Sequence, residues 1–182
     1  MLKSAIALDV ASTTGWACWK AGDEWPSYGS IKFQTPDLGE RAKMFSDWLI
    51  SIVVAEKITD IAIESPIQPI IGGTQLDILI WLYGCFLRVL EISSRRQINV
   101  HPVTTTQWRS WFLGVTQAPR SLDKSRRRTW LKRRCVDECK ARGYAPNNDN
   151  EADALAILDY IRSQNDMAYA RSSTPMLAKV VL

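Results

Sequence analysis

Apolar and small or polar residues alternate from Ser4 to Val10, with Ile6, Leu8 and Val10 on one side and Ala5, Ala7 and Asp9 on the other. A two-residue period predicts a strand. Ser12-Thr13-Thr14-Gly15 then reads as a tight turn, with Gly15 free to take positive φ. Trp16 to Lys20 and Tyr28 to Phe33 read as two further strands, so the chain opens as an antiparallel meander. Helical spacing follows over residues 38–56, where Ala42, Phe45, Trp48, Leu49, Ile52 and Val53 share a side. Alternation returns from Ile58 to Glu64, a fourth strand.

Pro66, Pro69 and Gly72-Gly73 break the pattern, and Thr74 is placed to cap a long helix reaching about Ile92. That helix is apolar on most sides, so deep burial is expected. A fifth strand covers residues 97–103, and a short helix or turn covers 104–112. A helix rich in Lys and Arg covers 122–142 and ends at Gly143, and a last helix covers 149–162. The order βββαβαβαα predicts an α/β fold: a mixed five-stranded sheet, three strands antiparallel and then parallel ones, flanked by helices. Residues 1–164 are read as one domain and 165–182 as a tail or arm.

Composition narrows this picture. The chain has 182 residues, 46% of them hydrophobic and 23% charged, as expected of one globular domain with a substantial core. Cys18, Cys85, Cys135 and Cys139 show no CxxC spacing and His101 is the only histidine, which excludes a structural zinc site and suggests free thiols. The apolar run from Ile78 to Leu87 is bounded by Asp77 and Arg88, far short of the roughly 20 residues a membrane span needs. No secretory signal is recognised, so a cytoplasmic location is expected.

Charge is unevenly spread. The segment Arg120 to Arg142 holds ten Lys and Arg against three acids, while the rest of the chain is slightly acidic. One concentrated basic segment suits a polyanion, because Lys and Arg displace counterions from phosphates. Arg126, Arg133 and Lys140 share one side of this helix, with Arg127 beside them, and are candidates for backbone contacts. Such runs also occur as plain solvated faces. Trp108, Trp111 and Trp130 lie nearby; base stacking is open to them, but core anchoring is the expectation for at least two.

Carboxylates carry the candidate chemistry. Asp9 and Glu64 each end a predicted strand with an alanine two residues earlier on the same side, Ala7 and Ala62. On parallel neighbouring strands they would stand together, beside small residues that let a helix approach. Asp149 and Asp153 are four apart, near the start of the last helix and on one side of it. Asp9 beside a turn and Asp149 at a helix start also have ordinary roles as caps. Glu64 after Ile61-Ala62-Ile63, and Asp153 among Ala152, Ala154 and Leu155, sit in apolar surroundings that call for a cation. A cluster of hard oxygens suits Mg²⁺ or Mn²⁺, and two such ions roughly 4 Å apart assist in-line displacement at phosphorus.

Ala7-Leu8-Asp9-Val10 with Thr14-Gly15-Trp16-Ala17, Ile61-Ala62-Ile63-Glu64, and Glu151-Ala152-Asp153-Ala154-Leu155-Ala156 resemble the three acidic motifs of RuvC-type Holliday-junction resolvases of the RNase H-like superfamily. Element order matches over roughly residues 3–163. The resemblance implies a homodimeric, Mg²⁺-dependent endonuclease, of the kind encoded by phages as well as bacteria, that makes paired nicks in branched DNA with no small-molecule cofactor. Asp9, Glu64, Asp149 and Asp153 would be its metal ligands. It also implies that Lys124 acts near the scissile phosphate, and that Arg109 stands where a second base would lie. Where the family carries an Asp three residues before Asp153, this chain has Asn150, and Asp149 is the nearest replacement. The Pro66–Gly73 loop occupies the place of junction-inserting side chains without matching them. The apolar helix from Thr74 offers a surface for a symmetric dimer.

Three other readings share parts of the pattern. The same fold serves nucleases of RNA, RNA–DNA hybrids or other branched DNA, and transposase-type cores. Asp9 with Ser12-Thr13-Thr14-Gly15 also resembles the first phosphate motif of actin-like sugar kinases, but these need two lobes. A non-catalytic DNA-binding module that has lost an acid is the fourth.

Overall fold

The computed structural model describes residues 2–66 and 76–173. Five strands, β1 (Ser4–Asp9), β2 (Thr14–Lys20), β3 (Ser27–Ile31), β4 (Asp60–Glu64) and β5 (Asn99–Val103), form one sheet in the order β3-β2-β1-β4-β5. The β1–β2 and β2–β3 pairs are antiparallel, and the β1–β4 and β4–β5 pairs are parallel. The expected mixed sheet is what the chain forms. Six helices flank it: α1 (Leu38–Ala55), α2 (Leu76–Arg96), α3 (Thr105–Leu113), α4 (Lys124–Ala141), α5 (Asp149–Asn165) and α6 (Met167–Ser173).

Alternation in β1 and β4 sorts the two faces. Ile6, Leu8, Ile61 and Ile63 pack with Phe45, Leu49 and Val53 of α1 and with Trp81, Cys85 and Val89 of α2. Ala5, Ala7, Ala17 and Ala62 face the other way, against Ala152, Ala154, Leu155 and Ala156 of α5. Alanine on alanine lets α5 lie close to the sheet. The closest approach is at Gly15, paired with Asp9 across β1 and β2. A Cβ there would lie 1.9 Å from the Asn150 carbonyl oxygen. Gly15 does not take the positive φ expected of a turn; among the described glycines only Gly22, Gly114 and Gly143 do. It is required because a helix backbone sits against it.

Local capping sets where the helices begin. Thr104 and Gln107 form a reciprocal capping box at α3, which ends on left-handed Gly114. Asn148, not Asp149, caps α5, accepting from Glu151 N at 3.0 Å. Glu151 turns away from the sheet's acidic end; it accepts from Ser30 Oγ at 3.2 Å and Asn147 N at 2.8 Å, tying the start of α5 to β3.

Two further features differ from the sequence reading. Only one side of α2 is buried: Leu76, Ile80, Tyr83, Leu87 and Leu90 form an exposed row, so deep burial does not hold. Its expected Thr74 cap lies outside the described residues, as do most of the 66–73 loop and residues 174–182. Residues 167–173 form α6, which no periodicity announced. Tyr169 anchors it, donating its hydroxyl to Asp159 beneath the Arg162 guanidinium, which lies 3.9 Å from the Tyr169 ring centre. Asp159 is 2% exposed and also accepts from Trp111 Nε1 at 2.7 Å and Arg142 at 3.0 Å, joining α3, α4, α5 and α6. Trp108 and Trp111 serve the core as expected. All four cysteines are free and buried. His101 bonds Asp60 at 2.8 Å, at the far end of β4 from Glu64.

Candidate functional site

Parallel pairing brings the acids together. Ala7 pairs with Ala62 and Leu8 with Ile63, so β1 and β4 run out side by side and release Asp9 and Glu64 at neighbouring ends. Helix α5 crosses the same end of the sheet on its alanine face and presents Asp153 one turn in from its start. Asp9, Glu64 and Asp153 line one open cavity of about 520 Å³. Its opposite wall is cationic: Arg109 from α3, and Lys124, Arg127, Arg128 and Lys132 from α4.

Each carboxylate is half-buried, and each is harder to ionise than usual. Asp9 is pushed well above the ordinary range, first by burial and then by Asp153 and Glu64, with Lys132 and Arg109 pulling the other way. Asp153 is pushed up to about 6 by burial, offset in part by the Cys135 thiol and Arg109 and reinforced by Glu64. Glu64 is raised by burial against the Thr105 hydroxyl and Arg109. Burial is the largest cause for all three, Glu64 adds to it at Asp9 and Asp153, and the cationic wall offsets it only in part.

The donor set fits a hard divalent cation. It is all carboxylate oxygen. The acids are not already gathered into a closed ligand cluster: no group of three or more His, Cys, Asp or Glu among the described residues forms one. Glu64 is engaged by the Thr105 hydroxyl, and Asp153 lies against the Cys135 thiol. Binding a cation therefore means exchanging these neutral partners for the ion.

Several of the expected residues meet in the cavity: Asp9, Glu64, Asp153, Lys124, Arg109 and Arg127. Arg127 is held by the Leu122 and Arg120 carbonyls at 3.0 and 3.1 Å. Asp149 does not line the cavity; it is paired with Lys132, while Asn150 takes a place in the wall. Arg126 is exposed and outside the lining. Arg133 borders a separate groove with Trp130 and Arg134.

Lys132, Arg128 and Thr105 belong to the site but were not singled out from the sequence. Lys124, Arg127, Arg128, Leu131 and Lys132 follow helical spacing along one side of α4, which continues into buried Cys135 and Cys139. Taking those two cysteines as the inward direction would have selected this side over that of Arg126 and Arg133.

No family model matches the chain, and no curated protein matches it by sequence. Solved structures do match by shape. Thermus thermophilus RuvC in complex with a Holliday junction substrate superposes with a TM-score of 0.64 over 85% of this chain and 90% of that one, at 14% identity. The fold is that of RuvC. A second Thermus thermophilus RuvC structure matches over 96% of this chain and 98% of that one, with a TM-score of 0.58 and 15% identity. The yeast mitochondrial Holliday junction resolvase Ydc2 matches with a TM-score of 0.57 over 86% and 76%, at 7% identity. At these identities it is the RuvC-type architecture that is shared, and the chemistry must be argued from this chain's own side chains.

Proposed function

We propose that this protein is a divalent-cation-dependent DNA endonuclease that resolves four-way junctions by paired nicks. The observation that carries the reading is the cavity itself: three carboxylates, each raised by burial, share it with five cationic side chains at the acidic end of a RuvC-type sheet.

Asp9, Glu64 and Asp153 would hold Mg²⁺ or Mn²⁺, which when bound activates water and stabilises the leaving oxygen of a phosphodiester. The chain's own residues do the rest. Arg109, Lys124, Arg127 and Arg128 bind the phosphate and offset charge that grows on it during displacement. Lys132 holds Asp149 beside the ligand set, so Asp149 tunes the site through Lys132 rather than facing the cavity. Thr105 orients Glu64.

A four-way junction has two strands to cut, which calls for two such cavities. The exposed row Leu76, Ile80, Tyr83, Leu87 and Leu90 supports a symmetric pairing of two copies through α2.

The deciding experiment compares cleavage of a four-way DNA junction, a flap, an RNA–DNA hybrid and structured RNA in Mg²⁺ or Mn²⁺. The junction should be cut best, and Asp9→Asn or Glu64→Gln should abolish cutting while junction binding persists. Undiminished cleavage by either variant, or preference for the hybrid or RNA, overturns the assignment.

A further inference from the structure

Lys132 differs from the other cations of the cavity in what holds it. Arg127 is held by backbone carbonyls, and Arg109 lies over the Trp108 ring, 5.0 Å from its centre. Among the described residues, Lys132 is the only one of the five paired with a carboxylate. Its partner is Asp149, which stays outside the cavity lining. Both side chains are half-buried, and Lys132 lies about one turn before buried Cys135, on the inward side of α4.

Helix α5 supplies what faces it. Asp149 and Asp153, four residues apart, lie on one side of that helix. Asn150 stands next to Asp149 and adds only a neutral amide to the cavity wall. Lys132 reaches across from α4 to the Asp149 end, and its charge favours the ionised forms of both Asp9 and Asp153. A fixed ammonium thus lies close to two of the three cavity acids while anchored to a fourth that is not among them.

Ligand supply points the same way. The cavity offers a hard cation three carboxylates, Asp9, Glu64 and Asp153. A second divalent ion would have to share those three acids and enter beside Lys132, against a charge of its own sign. Asp149 could serve it only by releasing Lys132.

We propose that the site holds one divalent ion and that the Lys132 ammonium, anchored by Asp149, takes the place of a second. The inference rests on the nuclease reading and specifies how its positive charge is supplied. Two-ion sites clamp the attacking and leaving oxygens of a displacement at phosphorus. Here a compact ammonium supplies the charge on one side of the phosphate, already in position when negative charge develops there. Asp149 is its positioning residue.

The test counts ions. Full-length protein is titrated with Mn²⁺ by calorimetry and by electron paramagnetic resonance, alone and with four-way junction DNA. One Mn²⁺ per chain is expected in both cases, with the spectrum of an isolated ion. Lys132→Ala should tighten Mn²⁺ binding about tenfold, because a like charge is removed, and yet slow junction cleavage. A side chain needed only for packing would weaken binding instead. Lys132→Ala combined with Asn150→Asp should admit a second Mn²⁺, magnetically coupled to the first at roughly 4 Å. Two Mn²⁺ per chain in the parent, Mn²⁺ binding unchanged or weakened in Lys132→Ala, or a double variant with parental circular dichroism that still binds one, overturns the single-ion site and leaves the nuclease reading standing. A parent protein that binds no Mn²⁺ with or without the junction overturns both.

Discussion

Replacing Asp153 with Asn should make the cation-free protein more stable, although it removes a residue of the proposed active site. The Asp153 carboxyl titrates near 6 in the folded protein against about 3.8 ordinarily. Two pKa units at 1.36 kcal/mol each amount to about 3 kcal/mol, and water entering the open cavity makes this a ceiling. The sign follows from proton binding. Below pH 3.8 both folded and unfolded chains hold the proton, so this group contributes no difference. Between 3.8 and 6 the folded chain retains a proton that the unfolded chain has lost, and stability falls as pH rises. Above 6 the full cost of an ionised, half-buried carboxylate is present, and asparagine avoids it. For a chain of this length each kcal/mol moves Tm by roughly 2–4 °C. In EDTA at pH 8 the variant should melt several degrees above the parent, with the gap closing towards pH 4. Mn²⁺ should then raise the parent's Tm more than the variant's, because it neutralises the same charge. Urea or thermal unfolding at three pH values measures all of this. A variant less stable than the parent at pH 8, or a gap independent of pH, would refute the view that burial makes the ionised Asp153 costly.

Other perturbations separate positioning from chemistry. Gly15→Ala adds a methyl group 1.9 Å from the Asn150 carbonyl, so α5 must move off the sheet; expect a loss of about 1–3 kcal/mol in denaturant titration and weaker Mn²⁺ binding by calorimetry. Asp159→Ala strips the shared acceptor from Trp111, Arg142 and Tyr169; Arg142 keeps Glu138 at 3.0 Å, so the loss should be about 1–3 kcal/mol, from the donors left unpaired, again read by denaturant. Leu87→Glu, in the middle of the exposed row of α2, should convert the proposed dimer to a monomer in light scattering without changing its circular dichroism.

The sheet was legible because period-two alternation with alanine on one side and isoleucine or leucine on the other is a local signal, and it placed Asp9 and Glu64 before any contact was known. What the sequence could not convey was set by partners. Helix α2 looks apolar all round, but its outer row of Leu76, Ile80, Tyr83, Leu87 and Leu90 is exposed among the described residues. Gly15 beside Ser-Thr-Thr has the composition of a turn, and only the proximity of Asn150 shows that the missing Cβ makes room for a helix. Helix α6 has no buried side chain of its own; its anchor is a bond from Tyr169 to an aspartate ten residues earlier. On α4 the basic residues surround the helix, so charge spacing alone cannot choose a side, whereas Cys135 and Cys139 can. These cases share a cause. Backbone period is written in neighbouring residues, while the direction in which a helix faces is decided by whatever packs against it. Glu64 and Asp153 stood out because each is embedded in small or apolar residues, where an acid without a counter-charge would not persist, whereas Asp149, between Asn148 and Asn150, carries no such signal and lies outside the cavity.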